Sequence, residues 1–499
     1  MHEVLTVPEV RAAEALAMSS LPDGALMARA AAGLATACAD LLGGTYGRRV
    51  LVVAGSGDNG GDALYAGARL ARRGASVLAV GTGARIHEAG LADLRAAGGR
   101  RLDVLTSADL DGIDLVIDGM LGIGGHPGLS DAAADIAALV GDSGITVVAC
   151  DLPSGIAPDT GELDGPYLRA DVTICFGTLK PGLVLDPAAA GAGVVELVDI
   201  GLGRPGTDAE TRFAAVGLDD VGDWLPEPNR SGDKYVRGVV GVVTGSPQYP
   251  GAGLLSVAGA RCGLAGMIRF VGDENLGHTV ATRFPDVVPH PPDRLGRVQA
   301  WVVGSGGGSS DPAVPISRLL VDDVPVLVDA DGLMHLPKPS ERPAGARLLL
   351  TPHAGELARL LDVDRNEIEA HRLRYARRAA EQLDATVLLK GATTVVVSPD
   401  GRVRVPRNPA TPWLATAGSG DVLAGITGAL LAIGLEPLDA GIAGALVHAA
   451  AGVLAGAPFT AADIAAAAPD AIRHARTGRR GENRDDRRGW RETATLRSP

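Results

Sequence analysis

The pentapeptide AGSGD occurs twice in the chain, at residues 54–58 and 417–421. In each copy, small residues stand next to a carboxylate, so backbone amides and an acid–base group can both reach a ligand. The first copy opens a Gly-x-Gly-x-x-Gly dinucleotide fingerprint at residues 55–60. However, the next strand lacks the acidic residue that this fingerprint requires, and Asp58 and Asp62 would repel a pyrophosphate. An ordinary Rossmann dehydrogenase is therefore disfavoured.

Polar residues also stand at the ends of the following predicted strands. Asn59 lies in the glycine-rich turn, Asp118 ends the run DLVID, and Asp151 ends ITVVACD and precedes Ser154. Because parallel strands share one carboxyl edge, we expect these four side chains to line that edge. Their oxygen and amide groups suit ribose hydroxyls, a polar ring or a hard cation. A transition-metal site is not expected, since the sequence offers no histidine cluster. The alternative is a set of turn-capping residues.

The second AGSGD precedes an apolar helical pattern. Gly418, Ser419 and Gly420 would present backbone amides at a helix amino terminus, which attracts anions. Asp421 follows them and is placed to take a proton from a hydroxyl that attacks a phosphoryl group. None of the four lysines follows a glycine, so a Walker P-loop is excluded. A plain glycine-rich helix start capped by Asp421 is the alternative.

Neighbouring motifs offer further binding groups. The segment KGATT at residues 390–394 offers an ammonium group, amides and hydroxyls to phosphates. Thr351, followed by proline, predicts a helix start that places His353 in the first turn, as either a binding or a structural residue. Ala252 and Gly306 lie in glycine-rich turns and would allow a close backbone approach.

Two series of alternating strands and helices must position these residues. From residue 50, short β-branched runs alternate with Ala-rich amphipathic stretches, which predicts parallel βαβ units. The alternation weakens over residues 200–236 and then resumes, with a long helix ending near residue 383. We therefore predict an α/β protein with two domains, residues 1–215 and 216–476, and a disordered basic tail over residues 477–499.

Composition narrows the possible classes of protein. The 499-residue chain has a net charge of −13, and its dense basic cluster is confined to the carboxyl terminus, so we expect no nucleic-acid partner. No CxxC pair and no signal-peptide pattern are present, which predicts a cytoplasmic protein. The apolar stretch 422–456 is broken at Glu436, Pro437 and Asp439, which predicts two buried helices rather than a membrane span.

Residues 1–215 resemble the YjeF amino-terminal domain, the NAD(P)H-hydrate epimerase. The matching motifs are LTVPEVRAAEALA, LMARAA, GSGDNGGD, DGMLGIGG, DLPSGI and FGTLKPGL, with Asp58 and Ala63 departing from the usual GxGNNGGDG. The resemblance implies a Rossmann-like parallel sheet sandwich, a potassium ion held by Asn59, Asp118 and Ser154, and proton transfer by Asp151. It also implies a set of substrate-binding residues: Asp58, Asn59, Gly60, Gly61, Asp62, Gly122, Ile123, Gly124, Gly125, His126, Pro127, Gly128 and Asp151.

Residues 216–476 resemble the ribokinase-like YjeF carboxy-terminal domain, the NAD(P)H-hydrate dehydratase. The matching motifs are SGDKYVRGVVGVVTGS, YPGA, DADGL, LTPHAGE, LLKGATT and ATAGSGDVLAG; Ser305 and Ser419 replace the family's usual Pro and Thr. The resemblance implies that Asp421 is the catalytic base and that ADP, with Mg²⁺, is a co-substrate. The implied hydrate-binding residues are Ala252, Gly306, His353 and Asp421, and the implied ADP-binding residues are Lys390, Gly391, Ala392, Thr393, Thr394 and Gly420.

Together the two resemblances imply a bifunctional repair of hydrated nicotinamide cofactors. The R and S epimers of NADHX and NADPHX would be interconverted, and the S epimer would be dehydrated while ADP becomes AMP and phosphate. We expect a homo-oligomer without a membrane partner. Two alternatives stay open: a ribokinase-type small-molecule kinase that releases a phosphorylated product, and a non-catalytic nucleotide-binding scaffold.

Overall fold

The computed structural model describes residues 1–83, 85–202, 212–227, 233–308, 313–408 and 410–478. The chain forms two compact units. The first unit contains residues 1–215, 353–382 and 389–408, and the second contains residues 216–352, 383–388 and the described residues from 410 onward. Two segments from the carboxy-terminal half of the sequence therefore belong to the first unit.

Residues 1–216 begin with a short strand and two helices and continue as alternating strands and helices. In chain order the elements are β1 (His2–Glu3), α1 (Val7–Met18), α2 (Ala25–Leu41), β2 (Arg49–Ala54), α3 (Asp58–Arg72), β3 (Ser76–Gly81), α4 (Glu88–Ala96), β4 (Arg100–Leu102), β5 (Leu115–Gly119), α5 (Asp131–Asp142), β6 (Val147–Cys150), β7 (Val172–Phe176), α6 (Pro181–Val184), β8 (Val194–Val198) and β9 (Phe213–Val216).

A parallel sheet forms the centre of the first unit. Its strands lie in the order β4-β3-β2-β5-β6-β7-β8, and every pairing is parallel. Val50 and Val52 of β2 pack into one hydrophobic core, whereas Leu51 and Val53 pack into another on the opposite face. Because both faces are covered, β2 is a continuous apolar run rather than an alternating one.

Residues 217–478 contain a second series of elements. In chain order they are α7 (Leu218–Trp224), β10 (Val239–Val243), α8 (Pro250–Ala260), β11 (Met267–Val271), α9 (Glu274–Arg283), β12 (Val287–His290), β13 (Ala300–Val303), α10 (Ile316–Leu319), β14 (Val326–Val328), β15 (Leu348–Leu350), α11 (Ala354–Leu361), α12 (Arg365–Ala370), α13 (Arg372–Leu383), β16 (Thr386–Leu389), β17 (Val395–Val397), β18 (Val403–Pro406), α14 (Ser419–Ala432), α15 (Pro437–Ala455) and α16 (Ala461–Gly478).

Parallel pairing also organises the second unit. Its strands pair in the order β12-β11-β10-β13-β14-β15-β16, and each of these pairings is parallel. Antiparallel pairs occur in the first unit, where β1 pairs with β9 and β17 pairs with β18. The predicted two-domain α/β fold class with parallel sheets is confirmed.

The segment between β15 and β16 differs from its prediction. After α11, two helices, α12 and α13, occupy the place of the one long helix predicted to end near residue 383. Asp362 ends the first of them in the left-handed conformation, with a φ of 51°. Asp364 then starts the next helix, because its carboxylate accepts a hydrogen bond from the Asn366 amide at 2.7 Å. The single long helix was a wrong prediction, since the chain leaves the helical conformation again at His371, the C-cap of α12, which has a φ of −131°.

The apolar stretch near the end of the chain forms α14 and α15, as predicted. Among the described residues, α15 is the one helix that is long and apolar enough to cross a membrane; 56% of its most apolar window is buried within the protein. The last helix, α16, includes the first two residues of the predicted tail, and residues 479–499 of that tail lie outside the described residues.

Helices α8 and α14 pack with their backbones in close contact. A Cβ atom added to Gly425 would lie 2.0 Å from the Ser256 carbonyl oxygen, and one added to Gly259 would lie 2.3 Å from the Val422 carbonyl oxygen. Both obstacles are backbone atoms that no side-chain rotation can move aside. The two glycines therefore set the distance between the helices.

We expect Gly425→Ala to lower the free energy of unfolding by about 1–3 kcal/mol, the usual cost of forcing extra volume into a packed core. Denaturant titration followed by tryptophan fluorescence measures this, because Trp301 is fully buried in β13 of the same unit. Gly251→Ala in α8 is the matched control, since an added Cβ there meets nothing within 4 Å. Equal stability of the two variants would contradict the packing role.

Candidate active sites

The first AGSGD forms a tight turn between β2 and α3. A Cβ atom added to Gly55 would lie 2.1 Å from the Met120 carbonyl oxygen, and one added to Gly60 would lie 2.2 Å from the Gly55 carbonyl oxygen. Asp58 is the first residue of α3. The glycines thus bring the amino terminus of α3 against the end of β5, where the predicted ligands lie.

Asp118 and Ser154 form a buried hydrogen-bonded pair. The Ser154 hydroxyl donates to one carboxylate oxygen of Asp118 at 2.6 Å, and the Ser154 amide donates to the other at 2.8 Å. The Met120 amide adds a third hydrogen bond at 3.2 Å. Burial raises the pKa of Asp118 to about 6, although these hydrogen bonds lower it. Each of these three donors is uncharged, so they leave the negative charge of Asp118 uncompensated.

Asn59 reaches the same place from α3. A Cβ atom added to Gly122, in the loop after β5, would lie 2.9 Å from the Asn59 Oδ1 atom. The Asn59 Nδ2 atom is buried without a hydrogen-bond partner. No group of three or more His, Cys, Asp or Glu side chains suited to a metal ion occurs in the described part of the chain. A cation here would therefore rely on amide, hydroxyl and backbone oxygens besides Asp118, a donor set that fits a hard cation.

Asp151 lies one strand further along the same edge and is held by Lys180. The two side chains form an ion pair with 2.5 Å between the Lys180 Nζ and Asp151 Oδ1 atoms, and their side-chain exposures are 1% and 10%. The Phe176 amide donates to the same Asp151 oxygen at 3.1 Å. Asp151 has a φ of 65°, a conformation that is costly for a residue with a side chain. The surrounding contacts thus fix this carboxylate in place.

Two further carboxyl groups interact with Asp151 electrostatically. Burial, followed by the charges of Asp151, Asp58 and Glu14, raises the pKa of Asp62 to about 8. Burial and the charge of Asp151 also raise the pKa of Glu14, a residue of α1 that was not among the predicted site residues. A neutral Asp62 therefore shares the site with Asp151 at neutral pH.

The predicted substrate loop after β5 lies at the rim of this edge. The Gly125 amide donates to the Gly122 carbonyl oxygen at 2.9 Å, which closes a turn. His126 is exposed, and Gly128 is buried in a left-handed conformation with a φ of 80°. A Cβ atom at Gly128 would lie 2.4 Å from the Asp164 carbonyl oxygen, so glycine is required there.

The second AGSGD starts α14 in the second unit. Gly418 is the N-cap in a left-handed conformation with a φ of 82°, and Ser419, Gly420 and Asp421 form the first turn. This arrangement confirms the predicted helix start. The Ser419 hydroxyl lies 3.0 Å from the Nε2 atom of the buried His448 of α15. The first turn thus presents backbone amides and a carboxylate together.

Two other predicted residues of the second unit touch each other. A Cβ atom added to Gly306 would lie 2.5 Å from the Ala252 Cβ atom, and Gly306 has a φ of 68°. Nearby in sequence, the Ser305 hydroxyl donates to Asp329 at 2.9 Å, and Thr351 donates to the other oxygen of Asp329 at 2.7 Å. Ser305 and the DADGL motif belong to the family resemblance, but the sequence analysis predicts no site role for them. Their positions at strand ends could have indicated such a role.

His353 and Lys390 lie together in the first unit. A parallel β-bridge joins them, and the Lys390 Nζ atom lies 3.8 Å from a carboxylate oxygen of the buried Glu356. Arg372, 3% exposed, donates to the carbonyl oxygens of Lys390 at 3.0 Å and Thr393 at 3.3 Å. These contacts support the KGATT segment from inside the protein. Neither Glu356 nor Arg372 was predicted, because only the tertiary structure brings them to this segment.

The predicted helix start at Thr351 is wrong by two residues. Helix α11 begins at Ala354, and His353 is its N-cap, with its Nδ1 atom accepting from the Glu356 amide at 3.1 Å. The Glu356 carboxylate accepts in return from the His353 amide at 2.8 Å, which completes a capping box. Thr351 cannot cap the helix because its hydroxyl is bonded to Asp329.

Comparison with known proteins bears on both regions. Residues 23–182 match the family model described as YjeF-related protein N-terminus, and residues 240–474 match the model described as NAD(P)H-hydrate dehydratase. The bifunctional NAD(P)H-hydrate repair enzyme Nnr of Mycobacterium leprae (strain TN) is 44% identical over 487 residues, which cover 96% of this chain and 99% of that protein. The chain belongs to the family of bifunctional NAD(P)H-hydrate repair enzymes.

Other similar proteins carry the same or a related description. The bifunctional NAD(P)H-hydrate repair enzyme Nnr of Mycobacterium tuberculosis (strain CDC 1551 / Oshkosh) is 46% identical over 450 residues, 88% of this chain and 91% of that protein. A crystal structure of an ADP/ATP-dependent NAD(P)H-hydrate dehydratase from Bacillus subtilis, co-crystallized with ATP/Mg²⁺, is 26% identical with a TM-score of 0.48; it covers 52% of this chain and 96% of that one.

As a member of the repair-enzyme family, the chain is an enzyme with an epimerase-type and a dehydratase-type domain. The predicted epimerase residues, from Asp58 to Ser154, all fall within the first matched region. The predicted dehydratase residues, from Ala252 to Asp421, all fall within the second. The roles of the individual residues stay predictions.

The raised pKa of Asp62 predicts how the stability of this repair enzyme depends on pH. Asp62 keeps its proton up to a pKa of about 8 when folded but loses it near 3.8 when unfolded, so the free energy of unfolding should fall as pH rises between these values. In Asp62→Asn this contribution is absent. We expect the variant to gain stability relative to the wild type over that range and to keep a constant advantage above it.

Denaturant titrations at several pH values measure this difference. Asp109→Asn is the control, because hydrogen bonds from Thr106 lower the pKa of Asp109, so its contribution changes only at acidic pH. If the stability difference between the wild type and Asp62→Asn does not change with pH, Asp62 is not protonated in the folded protein.

Proposed function

We propose that this chain repairs hydrated NADH and NADPH by epimerising their R and S forms and dehydrating the S form at the expense of ADP. The observation that supports this most is that one chain matches both family models, with a candidate catalytic carboxylate at a strand or helix end in each region. A single chain with both activities can restore both epimers, whichever one forms.

In the epimerase region, Asp151 moves protons at the hydrated nicotinamide ring. One of its oxygens is engaged by Lys180 and by the Phe176 amide, which orients the carboxylate. Asp62, neutral at pH 7, supplies a hydrogen-bond donor to the same substrate, while Asp58, Asn59 and the loop from Gly122 to Gly128 bind its polar groups. The two carboxyl groups thereby divide the acid and base roles.

A potassium ion would be held by Asn59, Asp118 and Ser154. The fit rests on the buried carboxylate of Asp118, whose hydrogen-bond donors are uncharged, and on the amide of Asn59 beside Gly122. Such an ion supplies positive charge that neutralises Asp118. The residues themselves orient the loop between β5 and α5, because Ser154 also accepts a hydrogen bond from the Leu121 amide at 2.9 Å.

In the dehydratase region, Asp421 takes the proton from the hydroxyl group of the S hydrate. The hydroxyl oxygen then bonds to the terminal phosphorus of ADP, whose bond to AMP breaks. The new phosphate ester leaves as phosphate when its carbon–oxygen bond breaks. The neighbouring ring carbon loses a proton to the solvent, and the ring thereby regains its double bond. Backbone amides in the first turn of α14, including that of Gly420, stabilise the charge on the transferring group, an effect worth about 3 kcal/mol per donor in other enzymes.

The remaining assignments follow the family pattern. Lys390, Gly391, Ala392, Thr393 and Thr394 bind ADP, which Mg²⁺ accompanies. Ala252, Gly306 and His353 bind the hydrate together with Asp421. We further propose a cytoplasmic homo-oligomer that binds neither nucleic acid nor membranes, a setting supported by the net charge of −13 and by four cysteines that are all buried and unbridged.

Asp151→Asn should slow epimerisation strongly and leave dehydration unchanged. With ADP present, we expect the recovery of NADH absorbance from the R hydrate to slow by about 100-fold or more, the usual contribution of a general base, while recovery from the S hydrate is unchanged. Asp142→Asn, at the exposed end of α5, is the control. Normal recovery from the R hydrate by Asp151→Asn would exclude Asp151 as the base.

Asp421→Asn should have the complementary defect. We expect no recovery of NADH absorbance from either epimer with ADP or ATP, while chromatography still shows interconversion of R and S hydrates. Adding the Asp151→Asn protein should restore recovery, because each variant supplies the activity that the other lacks. Asp322→Asn, at an exposed position, is the control.

The wild-type reaction also separates the proposed function from the alternatives. A kinase would accumulate a phosphorylated product without NADH absorbance. A scaffold would bind nucleotide and leave the hydrates unchanged. Either result would contradict the repair function.

A further inference from the structure

Lys180 is buried to a degree that is unusual for a lysine. Its side chain is 1% exposed, and the residue is among the largest fully buried ones in the described part of the protein. Placing an ammonium group in the interior is costly unless opposite charge and hydrogen-bond acceptors surround it. Lys180 lies in the FGTLKPGL motif, and the family resemblance implies no role for it.

The ammonium group of Lys180 has three partners. It lies 2.5 Å from Asp151 Oδ1, donates to the Phe176 carbonyl oxygen at 2.9 Å, and lies 3.6 Å from the Cys175 Sγ atom. These three partners account for its three N–H donors. Lys180 is also the N-cap residue of α6, whose first turn is entirely buried, so its backbone is held as firmly as its side chain.

The same contacts leave Asp151 with one oxygen engaged. Its Oδ1 atom is hydrogen-bonded to Lys180 and to the Phe176 amide, and its own amide donates to the Ile174 carbonyl oxygen at 2.9 Å. The left-handed backbone of Asp151 turns the side chain toward β7 instead of continuing the strand. The orientation of Asp151 therefore depends on residues 174–180.

We infer that Lys180 is the positioning residue of the epimerase: it holds Asp151 as a carboxylate whose second oxygen is available to a proton of the hydrated ring. This inference rests on the proposed function. In the step it supports, the ring hydroxyl group gives its proton to Asp151 while the bond between its carbon and the ring nitrogen breaks, which leaves a carbonyl group. The carbon–nitrogen bond then re-forms on the opposite face of that group, and Asp151 returns the proton to the oxygen. Lys180 keeps its own protons throughout and is not itself a catalytic residue.

The charges around Asp151 explain why a cation is required. Asp62, Asp58 and Glu14 all interact electrostatically within this cluster, and Arg11 is the other cation that acts on Glu14. Burial lowers the pKa of Lys180, but the charge of Asp151 and the hydrogen bonds to Asp151 and Cys175 more than offset this effect and keep the ammonium form. Without Lys180, Asp151 would be a buried carboxylate beside other carboxyl groups, and it would lose the ammonium group that compensates its charge.

The test replaces Lys180 in the full-length enzyme and follows two activities in the same sample. The rate of R-to-S interconversion of hydrated NADH is measured across a pH series. ADP-dependent dehydration of the S hydrate, which uses the other matched region, reports whether the protein is folded. Lys338→Met, the same substitution at an exposed lysine, is the matched control.

For Lys180→Met we expect epimerisation to slow by about 100-fold at neutral pH and to recover partly at higher pH, so that the acid limb of the pH profile moves upward. Dehydration of the S hydrate stays at the wild-type rate. An unchanged epimerase profile, or a loss by the same factor at every pH, would overturn the positioning role. If dehydration is lost as well, the epimerisation pH profile and the dehydration rate are measured for Lys180→Gln, which keeps a hydrogen-bond donor. The same outcomes then support or overturn the positioning role.

A failure of the proposed function would be recognised separately. In that case the wild-type enzyme itself would not interconvert the epimers, and the inference about Lys180 would be wrong together with the proposed function. Interconversion by the wild type together with a normal pH profile for Lys180→Met would instead overturn the inference alone.

Discussion

The structure depends on one constraint: its central parallel strands are buried on both faces, so polar side chains of the site lie at their ends. In the first unit, neighbouring residues of β2 enter two different hydrophobic cores, which leaves no polar face at the centre of the sheet. Asp118, Asp151 and Ser154 can be accommodated only where the strands stop and the chain turns. The loops there must also pass close to one another, and this explains why glycines such as Gly55 and Gly128 meet backbone carbonyl oxygens at distances that exclude a side chain.

Burial at this edge gives chemically identical groups different properties. Neutral hydrogen-bond donors stabilise Asp118, and a buried ammonium group stabilises Asp151. Asp62 has neither kind of partner, and its pKa is therefore raised further than that of Asp118. The proposed cation-binding group, base and neutral donor can therefore be built from a single residue type. The differences arise from desolvation and from the nearest charge rather than from the residues themselves.

In the second unit the candidate catalytic carboxylate lies at a helix end, whereas in the first unit it lies at a strand end. The first turn of α14 offers amides and Asp421 at the same point, and α8 approaches it so closely that only glycine fits at Gly259 and Gly425. The hydroxyl of Ser419 is held by His448, a contact between consecutive helices. The buried set of Ser305, Asp329 and Thr351 shows that polar groups again gather where strands end, although Asp329 has no predicted role.

Sequence alone determined the α/β class, the order of most elements, the strand-end carboxylates and the family. Each of these follows from local periodicity or from short motifs, which can be recognised in the sequence without the tertiary structure. Tertiary structure decided the partners. Lys180 meets Asp151 across 29 positions, the Thr351 hydroxyl bonds to Asp329 instead of capping α11, and two segments of the carboxy-terminal half join the first unit. Burial, charge compensation and capping depend on groups that only folding brings together, so no local pattern in the chain could have specified them.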